Sequence, residues 1–334
     1  MSAAIFGLRG TELGADERAF FRDADPVGFI LFARNCTEPN QVHRLVTQLR
    51  DAVGREDAPV LIDQEGGRVV RLKPPNWQAY PSAASIAALG GARAMEAARL
   101  GARLIADDLA VLGVTVDCMP VLDLPIDGAD PVIGDRAYGT APAAVAALGG
   151  AVCEGLLAGG VLPVVKHIPG HGRALVDSHS ALPVVAAPRA ELEAMDFAPF
   201  RALAAMPWAM TAHVLYSALD TARPATLSPR VIGEAIRGAI GFDGLLLSDD
   251  LSMAALPGRI GARAAQALAA GCDVVLHCNG AMDEMTQIAA AASALTPAAA
   301  RRLAAGEARR RAAREPFDRR AARARFAALT AGEA

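Results

Sequence analysis

The chain has 334 residues, a formal net charge of −3, 53% hydrophobic residues and 4% aromatic residues. This composition allows a large packed core, and the mild acidity argues against a nucleic-acid-binding protein, which would carry a basic patch. The arginines near the C-terminus alternate with Ala and Glu, a pattern that predicts a solvated helix face.

The sequence has neither a membrane-spanning run of about 18 apolar residues nor a secretory signal at its start. Its five cysteines are widely spread, and none form a C-x-x-C pair. Free thiols in a reducing compartment explain them better than disulfides or zinc. We therefore expect a cytoplasmic protein with no membrane partner.

Short apolar runs alternate with segments of helical periodicity along most of the chain. The predicted strands are 3–8, 27–32, 59–63, 114–121, 161–166, 209–214, 244–248 and 274–277. The predicted helices are 40–53, 91–112, 141–159, 189–204, 229–239 and 258–270. Nearly continuous apolar strands joined by helices predict a parallel sheet buried on both faces. Eight such strands predict an α/β fold, a single (β/α)8 TIM-type barrel.

Polar residues follow the carboxyl end of nearly every predicted strand. They include Arg34, Asn35, Asp63, Glu65, Asp123, Lys166, His167, His213, Asp249, Asp250 and Asn279. In a (β/α)8 barrel these ends meet on one face, where active sites lie. The pattern favours the barrel over an open sheet and predicts one site built from the whole chain. We expect residues 1–334 to form one catalytic domain, with 281–334 as extra C-terminal helices packed on the barrel exterior.

The segment 166–179, KHIPGHGRALVDSH, contains three of the six histidines. His167 and His171 have the four-residue spacing of some metal-binding helices. Pro169 and Gly170 lie between them and predict a turn instead of a helix. We therefore expect no metal site here and a structural role for His171.

The same segment ends in Asp177-Ser178-His179. An aspartate two residues before a histidine can orient its ring and stabilise its charged form, which suits proton transfer near neutral pH. Taken alone, these residues fit a surface turn without a catalytic role equally well.

A second acidic motif, LLLSDDLSM, ends the predicted strand 244–248. Asp249 falls at the strand terminus, where its carboxylate can point into the barrel mouth and act as a nucleophile toward carbon. We expect Asp250 to point away and cap the next turn. The alternative, in which both aspartates cap turns or pair with arginine, remains open at this point.

The motif DQEGGRVVR at 63–71 combines acceptors, a tight Gly-Gly turn and two guanidinium groups. This mixture suits a substrate with many hydroxyl groups. The motif has no G-K-[ST], and Gly66-Gly67 is too short for a dinucleotide fingerprint. We therefore expect no cofactor.

The motifs DQEGGRVVR, GDRAY, KHIPGHG, DSH and SDDLSM, in this order, resemble those of glycoside hydrolase family 3. Within the family they are similar to those of the single-domain bacterial β-N-acetylglucosaminidases of peptidoglycan recycling. The match runs from about Gly28 to Asn279. The resemblance implies a retaining, exo-acting β-N-acetylglucosaminidase that acts on muropeptides through a covalent glycosyl-aspartate.

The resemblance also implies roles for individual residues. Asp249 would be the nucleophile, His179 the general acid/base and Asp177 the dyad partner of His179. The implied substrate-binding residues are Asp63, Arg71, Arg136, Lys166 and His167. A histidine in the acid/base role is unusual, because most retaining glycosidases use a second carboxyl group. We also expect the loop that carries His179 to be mobile and to close on substrate.

Two alternatives remain. A phosphorylase on the same scaffold is compatible with a histidine acid/base, since histidine does not repel incoming phosphate as a carboxylate would. A lyase or aldolase could use Lys166 as a Schiff-base amine. The expected partner is a muropeptide or glycan that contains N-acetylglucosamine, and the expected oligomeric state is a monomer.

Overall fold

The computed structural model describes residues 1–331, and within them eight parallel strands form a closed barrel. The strands are β1 Ser2–Phe6, β2 Pro26–Leu31, β3 Val60–Ile62, β4 Val116–Asp117, β5 Leu162–Ile168, β6 Val184–Val185, β7 Trp208–Thr211, β8 Leu215–Tyr216, β9 Leu245–Asp250 and β10 Val274–His277. The barrel order is β1-β10-β9-β7-β5-β4-β3-β2. Strands β6 and β8 form a small separate parallel sheet. The predicted TIM-type barrel is confirmed.

Alternate residues of the barrel strands enter two different apolar clusters. Ile5 and Ile30 belong to a cluster to which all eight barrel strands contribute, and this cluster fills the barrel interior. Their neighbours Phe6 and Phe29 belong to the larger cluster between the strands and the helices. Both faces of each strand are therefore buried, which explains why the strands are nearly continuous apolar runs in the sequence.

The helices surround the barrel. They are α1 Ala15–Ala24, α2 Pro39–Val53, α3 Ala83–Ala88, α4 Gly91–Ala110, α5 Pro142–Ala158, α6 Arg189–Ala194, α7 Phe197–Ala202, α8 Ile260–Ala270, α9 Met282–Ala291, α10 Pro297–Ala312 and α11 Arg319–Thr330. Val231–Ile240 forms a further helix with wider, π-type hydrogen bonding. The short helices α1 and α3 were not predicted from the sequence.

Several predicted boundaries were wrong. The strand predicted at 114–121 is reduced to β4, although Val164 and Lys166 still donate backbone hydrogen bonds to the carbonyl oxygens of Met119 and Pro120 beyond its end. The strand predicted at 209–214 ends at Thr211, and the chain then joins the small sheet at β8. The helix predicted at 189–204 is two helices separated at Met195-Asp196. The buried Asp196 side chain there accepts a hydrogen bond from Arg173.

The arginines near the C-terminus were predicted to lie on a solvated helix face, but several of them form ion pairs with other parts of the protein. Arg302 of α10 pairs with Asp243 and Asp273. In α11, Arg319 pairs with Asp107 and Asp108 of α4, and Arg325 pairs with Glu96 of the same helix. The last residues of the predicted C-terminal region, 332–334, lie outside the described residues.

All five cysteines are free thiols, as predicted. In the part of the chain that the structure describes, no helix combines the length and apolarity needed to cross a membrane.

Candidate active site

A cavity of about 320 Å³ opens at the carboxyl ends of the barrel strands. This volume falls in the range of small-ligand sites. All eight predicted site residues line it: Asp63, Arg71, Arg136, Lys166, His167, Asp177, His179 and Asp249. The barrel thus brings together residues that are up to 186 positions apart in the sequence, from 63 to 249.

One side of the cavity is a network of alternating charges. Lys166, at 2% exposure, places its Nζ 2.8 Å from Oδ1 of Asp63 and 2.7 Å from Oε1 of Glu65. Arg71 donates to Oδ2 of Asp63 at 3.0 Å. Arg136 donates to both carboxylate oxygens of Glu65, at 2.9 and 2.8 Å. Each buried charge therefore has an opposite partner, which offsets the cost of its desolvation.

The same contacts keep these groups ionised. Burial alone would raise the pKa of Asp63, but Lys166 and Arg71 lower it. Burial would also raise the pKa of Glu65, and Lys166 and Arg136 lower it. Burial would lower the pKa of Lys166, but the two carboxylates raise it. A Schiff-base lysine must be a neutral amine, so this environment opposes the lyase alternative.

His167 is oriented by a buried carboxylate that the sequence did not identify as functional. Oδ2 of Asp123 lies 2.7 Å from Nδ1 of His167, and the same side chain accepts from the backbone N–H of His171 at 2.6 Å. Burial opposes ionisation of Asp123, but His167 and His171 lower its pKa. An ionised Asp123 accepts the proton of Nδ1, which leaves Nε2 of His167 available to a ligand.

Asp249 lies at the end of β9, and its Oδ1 accepts the N–H of Asp250 at 2.7 Å. Burial would raise the pKa of the Asp249 carboxyl, but His213, His167, the Asp250 N–H and Lys166 together lower it. The carboxylate is therefore ionised at neutral pH and faces the cavity.

Asp250 binds the next turn, as predicted from the sequence, although it was also expected to point away and instead contributes to the cavity lining. It accepts hydrogen bonds from the backbone N–H of Ser252 at 3.1 Å and from the Ser252 hydroxyl at 2.6 Å. The buried His213 contributes a further contact, with Nε2 3.0 Å from the Asp250 carbonyl oxygen. These contacts fix the backbone next to Asp249.

Asp177 and His179 form a hydrogen-bonded pair at the cavity mouth. Oδ1 of Asp177 accepts the backbone N–H of His179 at 2.9 Å and lies 2.7 Å from its Nδ1. Partial burial opposes ionisation of Asp177, but these two bonds lower its pKa. Nδ1 of His179 therefore acts as the donor, and Nε2 is left free to exchange a proton with a ligand. The His179 side chain is 65% exposed.

Glu65 and Asp123 follow predicted strands, but no site role was predicted for either. Phe32 was also not predicted as a site residue; its ring centroid lies 4.9 Å from the guanidinium carbon of Arg71. Among residues 1–331, no group of three or more His, Cys, Asp or Glu side chains is arranged to hold a metal ion. His167 and His171 instead pack their rings edge to face, with centroids 5.7 Å apart.

A (β/α)8 barrel with this cavity at its strand ends is an enzyme architecture, and comparison with known proteins gives its class. The family model of the glycosyl hydrolase family 3 N-terminal domain matches residues 10–309. The chain belongs to glycosyl hydrolase family 3 and is therefore a glycoside hydrolase.

Individual relatives agree with this assignment. The chain is 41% identical over 282 residues to a β-hexosaminidase of Alkalilimnicola ehrlichii, covering 82% of this chain and 80% of that protein. It is 40% identical over 279 residues to a β-hexosaminidase of Methylococcus capsulatus, covering 82% of each chain. The crystal structure of NagZ from Neisseria gonorrhoeae in complex with N-trifluoroacetyl-D-glucosamine matches with a TM-score of 0.87 and 31% identity, over 99% of this chain and 98% of that one.

The charge network predicts the effect of neutralising Glu65. Glu65→Gln leaves Lys166 and Arg136 with one carboxylate fewer, so we expect the free energy of unfolding at pH 7 to fall by roughly 3 kcal/mol. Urea unfolding measures this, with the exposed Glu56→Gln as a matched control. A loss no larger than that of the control would contradict the prediction.

The pH dependence of this difference has a definite sign. The native pKa of Glu65 is lowered, so its stabilising contribution is present above the unfolded-state value near 4.3 and is lost as the pH falls below it. The gap between wild type and Glu65→Gln, measured by urea unfolding at several pH values, should therefore be constant near neutral pH and shrink as the pH falls below about 4.3 toward the lowered native pKa of Glu65.

Proposed function

We propose that the chain is a retaining, exo-acting β-N-acetylglucosaminidase with Asp249 as nucleophile and His179 as general acid/base. The observation that carries this proposal is that an ionised, buried carboxylate and an aspartate-bound histidine line the same cavity. The β-hexosaminidase relatives and the NagZ structure bound to an N-acylated glucosamine analogue support the choice of sugar.

The sugar hydroxyl groups bind the charged wall of the cavity. Asp63 accepts hydrogen bonds, and Arg71, Arg136 and Lys166 donate them. His167, held by Asp123, offers Nε2. Because these groups are already paired with one another, they are fixed in direction before the sugar arrives, which limits the reorganisation that binding requires.

The reaction then proceeds in two steps. His179 gives its Nε2 proton to the glycosidic oxygen while Asp249 attacks the anomeric carbon, so the aglycone leaves and a glycosyl-aspartate ester forms. Neutral His179 next takes a proton from water, whose oxygen attacks the anomeric carbon and displaces Asp249. Two inversions give net retention. Asp177 stabilises the imidazolium that is present before the first step and after the second.

We further propose that the substrates are muropeptides that end in N-acetylglucosamine, because the motif set resembles that of peptidoglycan-recycling enzymes. On this proposal the protein acts in the cytoplasm as a monomer. The described residues 1–331 form one catalytic domain, and helices α9 to α11 support the barrel from outside.

The substrate assignment predicts a preference among aryl glycosides. We expect 4-nitrophenyl N-acetyl-β-glucosaminide to have a kcat/KM at least about tenfold above that of 4-nitrophenyl β-glucoside, since the acetamido group adds contacts in the site. Release of 4-nitrophenolate measures both rates. Equal rates, or a preference for the glucoside, would exclude an N-acetylglucosaminidase.

A phosphorylase remains the second candidate, because His179 replaces the carboxyl group that would repel phosphate. Repeating the assay with inorganic phosphate separates the two activities. A hydrolase releases N-acetylglucosamine at a rate that phosphate does not change, whereas a phosphorylase forms the sugar 1-phosphate.

The acid role of His179 predicts a dependence on the leaving group. For His179→Ala we expect kcat/KM to fall by about 10² or more with a poor leaving group such as phenol, because general acid catalysis supplies roughly that factor. With 2,4-dinitrophenol, which leaves without protonation, we expect a much smaller fall. The exposed His43→Ala serves as control, and equal losses with both substrates would remove His179 from the acid role.

A further inference from the structure

The segment 175–181, which carries Asp177 and His179, is largely exposed except at one residue. Leu175 is 63% exposed and Val176 is 41% exposed. Ser178, between the two catalytic candidates, is only 3% exposed. A single buried residue therefore anchors an otherwise exposed segment.

Ser178 makes two hydrogen bonds to different parts of the barrel mouth. Its hydroxyl lies 3.1 Å from Nε2 of His171, and its carbonyl oxygen accepts the N–H of Ala255 at 3.1 Å. Within residues 1–331, the remaining hydrogen bonds of the segment stay inside it and are made with Asp177. Within the described residues, the segment that carries His179 is therefore hydrogen-bonded to the rest of the protein through Ser178.

The His171 end of this connection is rigid. The His171 N–H donates to Asp123, and its ring packs against that of His167. Burial and the neighbouring His167 lower the pKa of His171 to about 4, so the ring is neutral near pH 7. A neutral imidazole has one donor and one acceptor, and a serine hydroxyl can play either part, so the bond persists in either tautomer.

The Ala255 end lies on the loop that follows the proposed nucleophile. Ala255 is 2% exposed and comes six residues after Asp249, beyond the turn that Asp250 and Ser252 form. Ser178 therefore joins the segment bearing His179 both to His171, near the carboxyl end of β5, and to the loop that follows β9, the strand that carries Asp249.

We propose that Ser178 and His171 are positioning residues that favour the conformation in which His179 lies at the cavity that Asp249 also lines. This inference rests on the proposed role of His179 as general acid/base. Both residues line the cavity, and the proposal gives neither a direct part in the bond changes. Their effect comes from geometry, since proton transfer requires the ring within hydrogen-bond distance of the glycosidic oxygen.

The test is the leaving-group dependence of Ser178→Ala. This variant removes the bond to His171 but keeps the carbonyl bond to Ala255. We expect kcat/KM to fall about tenfold with the phenyl glycoside, the effect of one hydrogen bond, and to stay within about twofold of wild type with the 2,4-dinitrophenyl glycoside. Ser180→Ala, an exposed serine in the same segment, is the matched control and should match wild type with both.

The double variant Ser178→Ala/His179→Ala should be no slower than His179→Ala, because the positioning residues act through His179. A fall of equal size with both substrates, no fall at all, or a further loss in the double variant would overturn the proposal. If His179→Ala itself shows no leaving-group dependence, the proposed function fails, and that outcome is distinct from failure of the Ser178 inference.

A second pair of variants changes His171, the other partner in the hydrogen bond with Ser178. His171→Gln retains a terminal amide that can bond the Ser178 hydroxyl, whereas His171→Leu cannot. We expect His171→Leu to reproduce the leaving-group dependence of Ser178→Ala and His171→Gln to restore most of the rate with the phenyl glycoside. Identical behaviour of the two variants would contradict the role of this hydrogen bond.

Discussion

The active site depends on keeping the Lys166 ammonium group charged inside the barrel. An unpaired buried charge would cost several kcal/mol, and here two carboxylates offset that cost. Asp63 and Glu65 follow β3, whereas Lys166 lies on β5, and β4 separates the two strands. The ion pairs form because β3, β4 and β5 lie side by side in the sheet, so the strand order of the fold and the geometry of the cavity wall are linked.

The site combines a rigid charged wall with the exposed segment that carries His179. The charged groups of the wall and the Asp123–His167 pair are buried or partly buried and are each paired with an opposite charge or a hydrogen-bond partner. His179 is exposed and is connected to the barrel through Ser178. This division fits the function proposed above, in which the wall holds the terminal sugar and the segment that carries His179 meets the aglycone.

The barrel and the cavity-lining residues at strand ends, such as Asp63, Lys166 and Asp249, were predictable from local signals in the sequence, whereas the roles of Arg136 and His179 were inferred from the resemblance of their motifs to a family. Buried parallel strands are apolar runs, and polar residues directly after such runs meet on one face. The partners of those residues were not predictable, since the choice of Glu65 for Arg136 and of Asp123 for His167 depends on distances that only the closed barrel sets. The same reason explains the arginines of α11, whose Asp and Glu partners on α4 are more than 200 residues away.

The central claim is that the Asp249 carboxylate becomes covalently bound to the sugar. A 5-fluoro glycosyl fluoride of the N-acetylglucosamine series should slow the release of that intermediate enough to trap it. After digestion, mass spectrometry should find the added sugar on the peptide that contains Asp249, and Asp249→Asn should show no label. A label on any other residue, or full activity with no intermediate trapped, would contradict the account.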